Sequence, residues 1–335
     1  MPEADVGRLF RILGRLREKG VSVIYVSHRL DEVFRIADAV TVLRDGRTVA
    51  VYRPVDISPE QLVRDIVGGT PVTRTSARKP VEGKPVLAVK DLRIGHFGPV
   101  SFSVGAGEIV GLAGLRGQGH EAVGRAIAGV LPFGSDTIEV DGRPQRFHSP
   151  AEAIALGIAF VTGKRAEEAL AGTMSVKENL FLNPLNFGAK SFGYRNRAAE
   201  RVECIETLHR FDVRPPQPDR PISTLSGGNQ QKVVLARWAG RHYKLLVLED
   251  PTIGVDVGAK AQIYRMLTDD AAEGTATVVV SSDIDELVQL CDRVLAFSRG
   301  RIVAELARGD ISVEALTRAV GGIAAATPLR TGGRP

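Results

Sequence analysis

An α/β fold with an antiparallel β edge and a helical insert is predicted, and three features of the 335-residue chain predict it. Strand-length apolar runs such as Ile109–Ala113 and Thr275–Val280 alternate with helical stretches, as strands do when helices cover a mostly parallel sheet. The first of those runs enters a glycine-rich turn, Gly114-Leu115-Arg116-Gly117-Gln118-Gly119-His120-Glu121, the kind of strand-to-helix junction whose amides hold an anion. One stretch also occurs twice. Val23-Ile24-Tyr25-Val26-Ser27-His28-Arg29-Leu30-Asp31-Glu32 returns as Thr277-Val278-Val279-Val280-Ser281-Ser282-Asp283-Ile284-Asp285-Glu286, at an offset of 254 residues. The offset persists through Asp38 and Asp292, Gly46-Arg47 and Gly300-Arg301, and Asp56-Ile57-Ser58 and Asp310-Ile311-Ser312. The chain thus holds two copies of one domain's closing segment, and only the second copy is preceded by the glycine-rich turn.

Taken in order, the elements divide the chain into four parts. Residues 1–69 form the first closing segment. Within it Val6, Leu9, Phe10, Leu13 and Leu16 make a helical stripe that stops at Gly20, and Val21–Val26 reads as a buried strand. Residues 70–85, rich in Pro, Thr, Ser and charge, read as a linker. Residues 86–322 form the complete domain: strands Val86–Leu92 and Val100–Val104 lead through Gly105-Ala106-Gly107-Glu108 into Ile109–Ala113. Residues 323–335 have the composition of a disordered tail.

Composition narrows the function classes. A formal charge of +5 from 44 basic and 39 acidic residues is scattered rather than clustered, which argues against a nucleic-acid partner. Cys204 and Cys291 stand far apart with no His or Cys at ligand spacing, so neither a disulfide framework nor a zinc site is expected, and both read as buried thiols of a reducing compartment. Neither a membrane-spanning run nor an export signal is recognisable, and the expected location is cytoplasmic.

Two further strings carry chemistry. Leu225-Ser226-Gly227-Gly228-Asn229-Gln230 puts a hydroxyl and two glycines at the mouth of a helix expected at Gln231–Ala239, leaving amides for a phosphate at what reads as a solvent-facing helix start. Downstream, the apolar run Leu245–Leu248 ends in Glu249-Asp250-Pro251, acids placed to hold Mg²⁺ and orient water, or alternatively to cap and ion-pair. In this order and spacing, with Gly254-Val255-Asp256 following, the strings resemble the ATP-binding cassette (ABC) ATPases. Leu-Ser-Gly-Gly-Asn-Gln-Gln-Lys and Gly254-Val255-Asp256-Val257-Gly258-Ala259-Lys260 are similar to the tandem-cassette ATPases of bacterial monosaccharide importers.

The resemblance implies a P-loop NTPase-type cassette with an antiparallel β subdomain and a helical signature subdomain, preceded by the C-terminal remnant of a first cassette. A truncated gene, a misplaced start or a split subunit would each produce that pattern. It implies ATP and Mg²⁺ as cofactors, and a place on the inner face of the membrane. The implied partners are membrane-spanning permease subunits, an intact ABC cassette as a second copy or homodimer, and indirectly a periplasmic sugar-binding protein. Gly114, Gly117, Gly119, His120, Glu121, Ser226, Gly227, Gly228, Gln230 and Asp256 become nucleotide-binding candidates, and Asp250, Glu249 and His28 catalytic ones, with Glu249 also toward the metal. The chain departs from the family in several places. His120 and Glu121 replace the phosphate-binding Lys and metal-binding hydroxyl, and the two acids at 249 and 250 are exchanged. Ser282 stands where His28 stands in the first copy, and Thr162-Gly163-Lys164 lacks the usual Gln or Glu of the segment that reports to membrane subunits, so a plain surface loop is the other reading there. Gly114–Glu121 is either a cradle for phosphate or a tight turn that binds nothing. Two alternatives stand beside the importer: a non-catalytic cassette completing an ATP site on another polypeptide, and a DNA-repair or ribosome-associated ATPase, whose coiled coils and zinc cysteines are missing from this sequence.

Overall fold

The computed structural model describes residues 3–26, 30–44, 47–67, 84–134, 137–182, 196–238 and 243–321. These fall into two compact units, residues 1–71 with 256–261 and residues 72–255 with 262–335.

In the first unit the expected stripe forms helix α1 (Glu3–Glu18). The helix closes as its sequence dictates: left-handed Gly20 lets the Val21 amide donate to Leu16 O at 3.1 Å and the Gly20 amide to Arg17 O at 2.9 Å, which satisfies two terminal carbonyls. Helix α2 (Leu30–Ile36), the antiparallel hairpin β1 (Val40–Arg44) and β2 (Arg47–Tyr52), and α3 (Pro59–Val67) follow. Val42, Ile57 and Leu62 form their small core, flanked by Phe34 and Ile66. The strand expected at Val21–Val26 is not there. The segment has no ladder partner among the described residues, and Ile24 and Val26 are 94% and 92% exposed. The run is apolar enough for a buried strand, but a parallel strand is stable only between neighbours that accept its hydrogen bonds.

The second unit begins with β3 (Leu87–Ile94) and β4 (Phe97–Val104), which join β6 (Ile138–Val140) and β7 (Arg143–Pro144) in a four-stranded antiparallel sheet of order β4-β3-β6-β7. Between them lie β5 (Ile109–Ala113) and α4 (His120–Ile127). Next come α5 (Pro150–Ala155), β8 (Ile158–Val161), and the helical insert of α6 (Val176–Leu180), α7 (Arg197–Arg210) and α8 (Gly227–Ala236). After β9 (Leu245–Glu249), helix α9 (Val257–Ala272) leads to β10 (Ala276–Ser281), α10 (Ile284–Leu290), β11 (Arg293–Ser298), β12 (Arg301–Ala307) and α11 (Val313–Val320).

The main sheet has the order β12-β11-β5-β10-β9-β8, parallel except for β12 at its edge. Pattern explains position. Every residue of β5 and β10 is buried, as uninterrupted apolar runs require when both faces are covered, whereas β12 alternates exposed and half-buried residues as an edge strand does. A core that includes Val110, Leu112, Val123, Ile127, Val247 and Val278 fixes α4 against the sheet. The insert has its own core of Val176, Leu180, Cys204, Leu208 and Val233, and its first helix starts on a capping box: Ser175 Oγ accepts from the Glu178 amide at 3.2 Å while Glu178 Oε2 accepts from the Ser175 amide at 2.7 Å. Both cysteines are buried and unpaired, and burial pushes the Cys204 thiol up to about 12. No helix among the described residues is long and apolar enough to cross a membrane. The linker, mostly within 68–83, and the tail at 323–335 lie outside the described residues.

Candidate functional site

Two corners of the second unit hold the glycine-rich helix starts that the sequence offers as phosphate-binding candidates. The first is the turn between β5 and α4. Gly119 is left-handed at φ +97°, and a Cβ there would come within 2.9 Å of the Phe97 ring, so glycine is required for the chain to enter α4 beside β4. Gln118 O accepts from the Gly300 amide at 3.0 Å, which ties the turn to the β11–β12 connection.

His120 opens α4 but points inward. It is 1% exposed, and its ring lies over Gly114 so closely that a Cβ on Gly114 would stand 2.5 Å from Nδ1. That nitrogen has no hydrogen-bond partner among the described residues and lies 3.4 Å from Glu121 Oε2. Burial holds the imidazole pKa below its ordinary 6.5 against the opposing pull of Glu121, Asp250 and Glu249, so at neutral pH the ring is uncharged. Glu121 turns back on the loop and accepts from the Gly117 amide at 3.4 Å. The loop therefore faces one of its own carboxylates, and its basic residue, Arg116, is exposed and stands before Gly117 rather than at position 120.

Glu249, at the end of β9, was expected to face a metal ion; instead it faces an arginine. Arg125, from the last turn of α4, donates through Nε to Oε1 at 2.9 Å and through Nη2 to Oε2 at 2.8 Å. Such forked pairs are the strongest side-chain hydrogen bonds, and here the two partners are only 16% and 12% exposed. Oε2 also accepts from the Gly163 amide at 3.4 Å, while Glu168 accepts from Arg125 at 3.0 Å and from the Thr162 hydroxyl at 2.6 Å. Burial pushes Glu168 up, but the bonds from Thr162 and Arg125 outweigh it and hold the carboxyl below its usual range. Residues 162–164 are thus more than a surface loop: Thr162 is buried in this cluster. Sequence reasoning missed Arg125 and Glu168. The available signal was a lone charge inside Ala122-Val123-Gly124-Arg125-Ala126-Ile127, which must find a partner once the helix packs on the sheet.

Asp250 adopts a left-handed backbone at φ +41°, uncommon for a residue with a Cβ. Its Oδ1 accepts from Ser281 Oγ and from the Ser282 amide, both at 3.2 Å, and the Ser282 side chain is exposed.

The second corner is the start of α8. Ser226 caps the helix, with Oγ accepting from the Asn229 amide at 3.5 Å and from Asn229 Nδ2 at 3.0 Å. The helix begins at Gly227, four residues before the expected Gln231, because the cap outweighs the low helix propensity of two glycines. Gly227 is not solvent-facing: a Cβ there would meet Arg165 Nη2 and Gly254 O, each at 3.0 Å. Gln230 does not point toward a ligand, since its Nε2 donates to Ile222 O and Leu225 O at 3.2 Å and holds the turn together. Arg165 donates to Gln231 Oε1 at 3.3 Å, while Arg165 Nε and Gln231 Nε2 have no partner among the described residues. Burial lowers the Arg165 pKa, and among the described residues no carboxylate pairs with it. Exposed Ser226, the first amides of α8 and this uncompensated guanidinium make the corner electropositive.

Asp256 caps α9, accepting from the Ala259 amide at 2.9 Å. His28 lies outside the described residues.

Residues 97–253 match the family described as ABC transporter. The chain is 38% identical over 323 residues to the ribose import ATP-binding protein RbsA of Geobacillus kaustophilus, covering 96% of this chain and 65% of that protein. It is 40% identical over 324 residues to the ribose import ATP-binding protein RbsA 1 of Streptomyces coelicolor, covering 96% and 64%. The chain therefore spans about 65% of the length of these relatives. Among solved structures, cbiO1 of Clostridium perfringens, part of an ABC transporter complex, is similar with a TM-score of 0.57 at 21% identity, covering 70% of this chain and 93% of that one. An ATP-binding cassette of an ABC transporter in its ADP conformation is similar with a TM-score of 0.58 at 22% identity, covering 71% and 96%. At those identities the likeness concerns the fold.

Proposed function

We propose that the chain is a cassette of the ABC transporter kind, the ATP-binding, energy-coupling part of a monosaccharide importer, and that it works through its signature corner rather than its phosphate loop. The observation that carries this reading is the contrast in charge. Ser226 and the α8 amides stand beside Arg165, a cation without a carboxylate, whereas the Gly117 amide faces Glu121 and Glu249 is bonded to Arg125. A γ-phosphate would be stabilised more strongly at the first corner than at the second.

On this reading the ATP that is hydrolysed sits on the lysine-bearing phosphate loop of another cassette, with Ser226, Gly227 and Gly228 closing over it. Mg²⁺ does not fit the corner at Glu249, whose oxygens hold Arg125, and no step is assigned to the ion on this side. The proposed setting includes permease subunits at the inner face of the membrane and, through them, a sugar-binding protein. The printed names of the relatives favour ribose or a similar sugar.

Phosphate release tests this. The purified chain is expected to hydrolyse ATP at background rate, and adding an ABC cassette with an intact lysine-containing phosphate loop is expected to restore turnover. Steady turnover by the chain alone, lost on Asp250→Asn, would give the catalytic role to this cassette instead.

A further inference from the structure

We propose that Arg125 is the permanent counter-cation of Glu249, so that any nucleoside polyphosphate reaching the Gly114–Glu121 loop is held without a divalent metal ion. The ligand in this statement rests on the nucleotide reading of the loop; the ion pair does not.

Geometry carries the inference. A metal ion at Glu249 needs at least one carboxylate oxygen directed at it, yet each oxygen already accepts a short bond from the same guanidinium, at 2.9 and 2.8 Å. Oε2 takes a further long bond from the Gly163 amide at 3.4 Å. Arg125 is itself fixed on three sides: by Glu249, by Glu168 at 3.0 Å and by Thr162 Oγ1 at 3.4 Å. Its position on α4 is set by the buried neighbours Gly124 and Ala126, which pack the helix against β9 and β10. A metal ion would have to displace a guanidinium that two carboxylates share, leaving the mostly buried Arg125 with Glu168 alone. Among the described residues, no group of three or more His, Cys, Asp or Glu side chains is arranged to hold a metal. Arg125 thus neutralises Glu249 from within the chain, as a metal ion there would.

The test uses the full chain and a fluorescent ATP analogue titrated in Mg²⁺ and in EDTA. For the wild type, and equally for Glu249→Gln, the two affinities are expected to agree within about twofold. Arg125→Lys, which keeps a cation, is expected to behave likewise. In Arg125→Gln the uncompensated acids should weaken binding in EDTA and Mg²⁺ should recover it, giving a ratio of about tenfold or more. A wild-type ratio of that size that vanishes in Glu249→Gln would overturn the proposal. If the wild type takes no analogue in either buffer, the nucleotide reading of the loop fails. The ion pair is then judged by melting with Mn²⁺: an unchanged wild type with a raised Arg125→Gln supports it, and a Mn²⁺-induced rise in the wild type that Glu249→Gln removes overturns it.

Discussion

The loop that opens α4 and the turn that opens α8 are built from the same parts, glycines at a helix start, and differ in what their surroundings do with charge. Around α4 the chain's carboxylates find partners within it. Glu121 accepts from Gly117, Arg125 neutralises Glu249, and His120 is buried without charge. Around α8 the Arg165 guanidinium has no carboxylate to answer it, and Ser226 is exposed at the rim. A glycine-rich helix start is therefore only half of a phosphate site. The other half is whether the neighbouring residues leave a net positive field there.

The largest effect that would break this contrast is a carboxylate at the signature. Asp caps a helix as well as Ser does, so Ser226→Asp should keep α8 folded while placing a negative charge against the arriving phosphate. Turnover in the reconstituted pair should fall by about a hundredfold or more, as several kcal/mol of like-charge repulsion demand. Gly227→Asp is a poorer probe, because its side chain would collide with Arg165 and Gly254. Turnover that survives Ser226→Asp would remove the signature from the reaction.

Next in size is the lock at the other corner. Arg125→Met leaves Glu249 without its cation, while Glu168 keeps Lys164 at 3.6 Å, and should cost about 3 kcal/mol in urea unfolding, because the Arg125–Glu249 pair is mostly buried. Glu168→Gln should cost no more than about 1 kcal/mol, since that side chain is a third exposed. Equal costs would mean that Glu249 is not the principal partner.

The internal repeat allows a matched pair of substitutions. Val278 and Ile24 occupy equivalent positions, one inside β10 and one in an exposed segment without a ladder. Val278→Ala should cost about 2 kcal/mol, whereas Ile24→Ala should cost less than about 0.5 kcal/mol. A large loss at Ile24 would show that the first copy is covered in solution.

The smallest effect is a pH dependence. The pKa of His120 is lowered in the folded chain, so the unfolded chain takes up the proton first; the histidine's contribution is intact above its ordinary 6.5 and declines as pH falls below it. Between about pH 7.5 and about pH 5.5 the wild type should lose roughly 1 kcal/mol more than His120→Leu does. Parallel melting profiles would place a charged histidine in the fold.

What was legible in the sequence followed from locality. The loop, the signature and the acids at 249 and 250 are contiguous strings whose chemistry is visible in their order, and Gly20 ends α1 through bonds within a few residues. Long-range partners were not legible. Arg125 meets Glu249 across 124 residues, and Gly227 is shielded by a side chain from position 165. Val21–Val26 failed for the same reason. Its composition matches β10, but β10 is a strand because β5 and β9 lie on either side of it.

The central claim, that this cassette contributes its signature and not its phosphate loop, is tested most directly by trapping. The chain and an intact cassette would be reconstituted, turned over with a photoreactive ATP in the presence of vanadate, irradiated, and the labelled peptide identified. The expected result is one trapped nucleotide per pair, with the label on the phosphate loop of the added cassette. Label recovered on the peptide spanning Gly114–Glu121, or two trapped nucleotides per pair, would contradict it.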